Sequence, residues 1–250
     1  MVSNEKERYS FSKLSTFHTC KLDYYQRYIL KRKGEGNCYS SYGSLMHSIL
    51  ERYAKGELAL NELVDTFEWE FESSIPEAFP EKLFGKKYDM KGNYYKQGVE
   101  FLNKFKGYDG CNILGVEESF DIPIEDWIFT GIADLIFEDS SGILIVQDYK
   151  SKASFKSRAE QAKYARQPYL YSLWVKDKYG KYPDILRFLM FRKNIVVDIP
   201  FDEIVFKEAV DWAKDTVNEI RSCWSYEPTC DSFYGNNLCN HRSYCESKVN

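Results

Sequence analysis

The 250-residue sequence predicts a mixed α/β domain with a mainly helical front part. Three observations predict it. Apolar residues recur at helical spacing up to about residue 110, they change to strand-like runs from Gly115, and the order from there is three strands, a helix, two strands and a helix. Hydrophobic residues at 44% and charged residues at 29% exclude wholesale disorder. The length suffices for a real core, and no repeat, low-complexity linker or composition break divides it, so one domain over residues 1–250 is expected. Within it, 1–110 is the helical part, 111–224 the sheet-bearing core, and 225–250 a cysteine tail.

The elements follow in order. In FSKLSTFHTCKLDYYQRYIL, residues Phe11, Leu14, Phe17, Leu22, Tyr25 and Tyr28 recur every three to five positions, which predicts a helix capped by Ser12. The loop KGEGNCYSSYG leads into a second helix, SLMHSILERYAKG, closed by Gly56. NELVDTFEWEFESSI and NYYKQGVEFLNKFKGY read as further helices. Strands follow in GVEESFDIPI, WIFTGIADLIF and ILIVQDYK. RAEQAKYARQPYLYSLWVKDKYG predicts a long helix bent at Pro168, then ILRFLMF-RKN-IVVDIPF a hairpin, and DEIVFKEAVDWAKDTVNEIRSCW a last helix. The tail after Trp224 carries three cysteines and little apolar material.

Charge and cysteine usage narrow the function. A net charge of -4 gives no global field for a polyanion, so any such site must be local. The beginning MVSNEKERYS has no apolar signal core, and no run approaches a membrane span, so a cytoplasmic location without membrane contact is expected. Seven cysteines in such a compartment point to metal or redox use ahead of disulfides.

The central strands hold charges that a buried sheet should avoid. Asp134 interrupts IADLIF, and Asp148 and Lys150 close ILIVQDYK. The joining Ser140-Ser141-Gly142 suits a three-residue hairpin loop with glycine in the left-handed position. That loop sets Asp139 opposite Ile143, and hence Asp134 opposite Asp148, with Lys150 on the same face. A loop of two or four residues would part the acids. If Glu125-Asp126 forms the preceding turn, Glu117 falls opposite Asp134. Both faces are otherwise apolar, the mark of strands covered on both sides. Facing carboxylates there repel by about 4 kcal/mol at about 4 Å and an effective dielectric of roughly 20. A buried ion pair with Lys150 would account for one acid; the set calls for a divalent cation.

An acid in a strand, a turn, and acid-x-Lys closing the next strand resembles the PD-(D/E)XK nuclease superfamily. GSLMHSILE at 43–51, VEESF at 116–120, GIAD at 131–134, QDYKSK at 147–152 and QPYLY at 167–171 resemble its RecB-like exonuclease branch in order and spacing. That branch includes the CRISPR-associated RecB-like and stand-alone phage exonucleases. The resemblance implies a restriction-endonuclease-like fold, a central mixed sheet flanked by helices. It implies Asp134, Asp148, Lys150 and Glu117 as catalytic residues, with His47, Asp134 and Asp148 holding Mg²⁺ or Mn²⁺. Gln167 and Tyr171 would form its Q-x-x-x-Y pair and, with Lys152, contact DNA. Ala133 stands where the superfamily pattern has proline.

Cys20 up front and Cys230, Cys239 and Cys245 at the tail resemble the iron–sulfur members of that branch, in which a cluster staples the tail to the first helix. The C-x5-C step is present in CNHRSYC, whereas the branch's C-x2-C would need a cysteine at Asn236. Cys230 or, less suitably, Cys223 would supply the missing ligand, and zinc could replace a 4Fe–4S cluster. Arg27, Lys31, Arg32 and Lys33 form one basic patch, and Lys150, Lys152, Lys156 and Arg158 another.

The expected function is thus a metal-dependent deoxyribonuclease, an exonuclease on DNA ends or single strands in recombination, repair or phage DNA processing. The resemblance places it in bacterial or phage-infected host cytoplasm, with a helicase or a recombination or spacer-acquisition factor as natural partners. The alternatives are a non-catalytic nucleic-acid-binding protein retaining the fold and a restriction-type endonuclease.

Overall fold

The computed structural model describes residues 6–83 and 86–245; the first residues of MVSNEKERYS and the last of the cysteine tail lie outside the described residues. The elements run β1 (Arg8–Tyr9), α1 (Phe11–Thr19), α2 (Lys21–Tyr24), α3 (Cys38–Ala54), α4 (Leu63–Ser74), β2 (Lys82–Leu83), β3 (Lys86–Lys87) and α5 (Met90–Lys104). They continue with β4 (Asn112–Ile124), β5 (Trp127–Glu138), β6 (Leu144–Lys150), α6 (Arg158–Tyr179), β7 (Ile185–Met190), β8 (Ile195–Pro200) and α7 (Glu203–Ser222).

Six strands form one mixed sheet in the order β1-β5-β6-β7-β8, with β4 also on β5. β6 and β7 are parallel, joined by α6, while β4–β5, β5–β6 and β7–β8 are antiparallel. The expected restriction-endonuclease-like α/β sheet flanked by helices is present. β1 and the small β2–β3 ribbon escaped the sequence reading, because two-residue strands carry no periodicity.

Each face of the sheet carries its own core, and β6 feeds both. Leu144 and Val146 pack with Leu14, Phe17, Leu170, Val175 and Val217 of α1, α6 and α7. Ile145 and Tyr149 pack with Ile49, Leu50, Phe67 and Phe101 of α3, α4 and α5. This double cover explains the near-continuous apolar composition of β6.

One helix reading needs correction. The first segment is not one helix capped by Ser12. Ser10 caps α1, its hydroxyl accepting from Lys13 N at 3.2 Å, and the chain leaves the helix at Cys20, which is extended at φ -156°. A capping hydroxyl must precede the first turn, and Ser10 does so immediately after β1. The long helix expected through Pro168 is present as α6, and the Ser172 hydroxyl donates to the Pro168 carbonyl at 2.9 Å.

Candidate metal centre

The β5–β6 turn is the one that Ser140-Ser141-Gly142 calls for. Gly142 is left-handed at φ 78°, its N–H donates to the Asp139 carbonyl at 2.9 Å, and Asp139 N donates to Ile143 O at 3.1 Å. Pairing then runs from Glu138 opposite Leu144 to Leu135 opposite Gln147. One further step sets Asp134 opposite Asp148. There the backbone ladder stops and a side chain takes over, with Tyr149 N donating to Asp134 Oδ2 at 2.7 Å.

Alternation counted from this hairpin holds as far as Asp134 and fails beyond it. Ala133 and Leu135, two residues apart, should share a face, yet Ala133 belongs to the α6-side core and Leu135 to the α3-side core. β4 reverses at the matching place: Val116 packs toward α3, while Glu118 pairs with Lys178 of α6 at 3.1 Å. The two flanking pairs, Val116–Leu135 and Glu118–Ala133, put Glu117 opposite Asp134, and Ile124–Trp127 bracket the two-residue turn. Glu117 itself is left-handed at φ 50°. A non-glycine residue held so inside a strand costs about 1–3 kcal/mol, and such strain gathers at functional sites.

At this kink the two faces of the sheet meet one site. From α3, His47 brings its ring beside Asp134, with Nδ1 3.6 Å from Oδ2. Its Nε2 lies 3.0 Å from the Tyr149 carbonyl, which can only accept, so Nε2 carries the proton and Nδ1 presents a lone pair. Burial also lowers the His47 pKa, against the opposing pull of Asp148, and keeps the ring neutral. One ligand atom each from His47, Glu117 and Asp134 falls within 4.8 Å of the others. Burial first, then the charge of Asp148, raises the Asp134 pKa well above the carboxylate range. Glu117 is raised by burial and by the charge of Glu51.

From the α6 side, Lys150 Nζ lies 2.6 Å from Asp148 Oδ2 and donates to Gln167 Oε1 at 3.0 Å. Gln167 Nε2 in turn donates to the Tyr171 hydroxyl at 2.9 Å. The Gln167–Tyr171 pair, expected to meet DNA, therefore holds the lysine. The Lys150–Asp148 contact has ion-pair distance without hydrogen-bond angles, so the buried Asp148 Oδ2 is left without a hydrogen bond. The three convergent ligand atoms, and a lone pair facing a carboxylate at 3.6 Å, are the features that a cation fits. Oxygen donors with one imidazole match Mg²⁺ or Mn²⁺.

A groove of about 440 Å³ opens onto His47 and Glu117 along one side of α3, past Ser40, Gly43, Ser44 and Glu51. Glu51 was missed from the sequence, although its spacing of four from His47 puts both on one helical side. It is paired with Lys55 at 2.5 Å.

Residues 8–246 match the sequence pattern of the PD-(D/E)XK nuclease superfamily. The chain belongs to that superfamily. An exonuclease from Eubacterium rectale, so named only provisionally, has the same fold: its crystal structure is 15% identical at a TM-score of 0.53, covering 97% of this chain and 90% of its own. The crystal structure of SSO0001 covers 98% of this chain and 89% of its own, at 15% identity and a TM-score of 0.42. No curated protein sequence matches significantly. PD-(D/E)XK nucleases use divalent metals, and the acidic group around His47 could bind one.

A second cluster lies on the same PD-(D/E)XK domain, away from the sheet. Cys20, Cys230, Cys239 and Cys245 line one cavity of about 590 Å³ between α2 and the tail. Burial and the neighbouring Cys20 thiol push Cys230 up to about 12, and burial pushes Cys239 to about 12. Cys223 lines a different groove and donates to Ser225 O at 3.1 Å. The tail is also held by a buried polar network. Asp23 accepts from Tyr234 OH and from His241 Nδ1, both at 2.7 Å, and His241 Nε2 reaches the Arg32 carbonyl at 3.1 Å. This polar network ties the tail to the front of the chain independently of any metal at the cysteines.

Both expected basic patches are partly engaged. Lys152 pairs with Glu160 at 2.9 Å, and Arg32 lies over the Tyr244 ring at 4.6 Å. Among the described residues, no helix is long and apolar enough to cross a membrane.

Proposed function

We propose that this protein is a divalent-metal-dependent deoxyribonuclease of the RecB-like branch, an exonuclease acting on DNA ends or single strands. The observation that carries this reading is the convergence of His47, Glu117 and Asp134, one ligand atom each within 4.8 Å, on the sheet that also carries the Asp148–Lys150 pair. Asp134, Asp148 and His47, with Glu117, would hold Mg²⁺ or Mn²⁺, which supplies Lewis acidity to a phosphate and acidifies a bound water. Lys150, steadied by Gln167, presents an ammonium to the negative charge that develops on the phosphorus oxygens. Neutral His47 offers Nδ1 without first losing a proton. The left-handed Glu117 keeps its carboxylate within reach of Asp134.

The exonuclease preference rests on the sequence resemblance and on the name of the E. rectale neighbour. Its test is cleavage of linear and closed circular DNA with Mn²⁺ by wild type, Asp148→Ala and Lys150→Ala. We expect linear DNA degraded by wild type alone and closed circles spared. Equal activity in all three proteins removes the nuclease reading; cut circles replace the exonuclease with an endonuclease.

Cys20, Cys230, Cys239 and Cys245 would hold a 4Fe–4S cluster, or zinc, which ties the tail to the front of the chain. The absorption of anaerobically purified protein, with metal analysis, separates these: a band near roughly 400 nm marks iron–sulfur, and a colourless zinc protein excludes it.

A further inference from the structure

A cationic pocket on the other side of the sheet from Lys150 belongs to neither cluster. It lies between α5 and the β7–β8 turn, encloses about 230 Å³, and is lined by Lys96, Lys104, Arg192, Lys193, Asn194 and Gln97. Glu100 is its one acidic lining residue, and that acid sits 3.8 Å from Lys96. Among the described residues, no carboxylate pairs with Lys104, Arg192 or Lys193. Four cations against one carboxylate leave a local charge of +3, in a chain whose net charge is -4. Such a concentration of one sign favours an anion.

The pocket is built, not merely charged. Arg192 is fixed from two directions: its Nε donates to Gln97 Oε1 at 2.8 Å, and its guanidinium lies 4.2 Å from the Tyr94 ring centre. Asn194 is left-handed at φ 50°, which tightens the turn that carries Arg192 and Lys193. Buried Phe191 and Phe101 form the floor. Guanidinium, ammonium and amide groups around a small concave space match a phosphodiester.

Its position ties it to the metal centre. β6 and β7 are parallel with Lys150 beside Met190, so the chain leaves both strands at the same end of the sheet. Phe191, next in sequence, packs its ring edge-on to His47 with centres 6.1 Å apart. The Tyr94 ring that supports Arg192 lies 5.9 Å from Tyr39, and Tyr39 lines the groove that leads to His47 and Glu117. The buried Tyr94 ring thus lies beneath both Arg192 and Tyr39 and sets groove and pocket side by side.

We propose that this pocket binds a backbone phosphate of the DNA strand whose cleaved bond lies at the metal centre, some nucleotides away from it. The proposal rests on the nuclease reading above and adds the path of the substrate to it. Lys104 and Lys193 act as point charges there, and Arg192 supplies the fixed donor.

The test uses single-stranded DNA of graded length, from two to about ten nucleotides, with the full-length Lys104→Ala/Lys193→Ala protein. For the longest strands KM should rise about tenfold, and the slope of log affinity against log salt should fall by about 1. The shortest strand should show no change, nor should kcat at saturation. Lys104→Arg/Lys193→Arg should restore KM, which a folding defect would not allow. An unchanged KM at every length overturns the pocket and leaves the nuclease reading intact. Binding followed by fluorescence anisotropy without metal separates the other case: length-dependent binding lost in the double variant, with no cleavage by wild type, keeps the pocket and removes the nuclease.

Discussion

Asp23→Ala should release the tail even in protein stripped of metal. The Asp23 carboxylate and His241 are both 4% exposed, and the ring nitrogens of His241 face only acceptors, Asp23 Oδ1 at 2.7 Å and the Arg32 carbonyl at 3.1 Å. The ring is thereby held at both nitrogens, by the carboxylate on one side and the backbone on the other. Removing the acid strands this ring and the Tyr234 hydroxyl together. Breaking a buried pair by deleting one partner costs about 3–5 kcal/mol. If the tail opens as a unit, amide exchange across residues 229–245 should accelerate by about two to four orders of magnitude. Arg242→Ala is the control: its pair with Glu35 spans 3.2 Å with both side chains 44% or more exposed, and such pairs contribute about 0–1 kcal/mol. Hydrogen exchange with mass spectrometry on chelator-treated protein reads both variants. Equal exchange in Asp23→Ala and Arg242→Ala would refute the network as the anchor and return that role to the cysteines.

Asp134→Asn should stabilise the metal-free protein. The Asp134 pKa is raised above its ordinary 3.8 by burial and by Asp148, so the folded state resists ionisation, and this penalty grows as pH rises from about 4. Urea melts at pH 4 and 7.5 should show the gain at the higher pH only, and the variant should lose the stabilisation that Mn²⁺ gives wild type. Gln167→Leu removes the acceptor that holds Lys150 Nζ; kcat should drop about a hundredfold, with Mn²⁺ affinity by calorimetry unchanged. A Cβ at Gly131 would stand 2.6 Å from the Phe120 ring and 2.9 Å from the Tyr171 ring, so Gly131→Ala should cost about 1–3 kcal/mol in denaturant melts and lower activity by displacing Tyr171.

Much of the centre was legible because hairpin chemistry is local. Ser140-Ser141-Gly142 fixes a loop length, loop length fixes register, and register puts Asp134 opposite Asp148 whatever packs around them. The helix end at Gly56 and the turn at Glu125-Asp126 were readable on the same ground, since each depends on a few adjacent residues. The small spacings of α3 likewise announced a helix carrying His47 toward the sheet.

Other features depend on residues distant in sequence. Nothing near Glu117 announces a left-handed strand residue, because the pleat reversal satisfies two cores at once, one under α3 and one under α6. The Gln167–Lys150 relay, the Asp23–His241–Tyr234 anchor and the pocket around Arg192 each join elements that only the folded chain brings side by side. By itself the sequence determined the turns, the registers and the donors available for a metal, all set by short-range sterics and alternation. Tertiary structure decided which donors meet and which charges stay unpaired, because burial and long-range packing, not spacing along the chain, set the distance and dielectric between them.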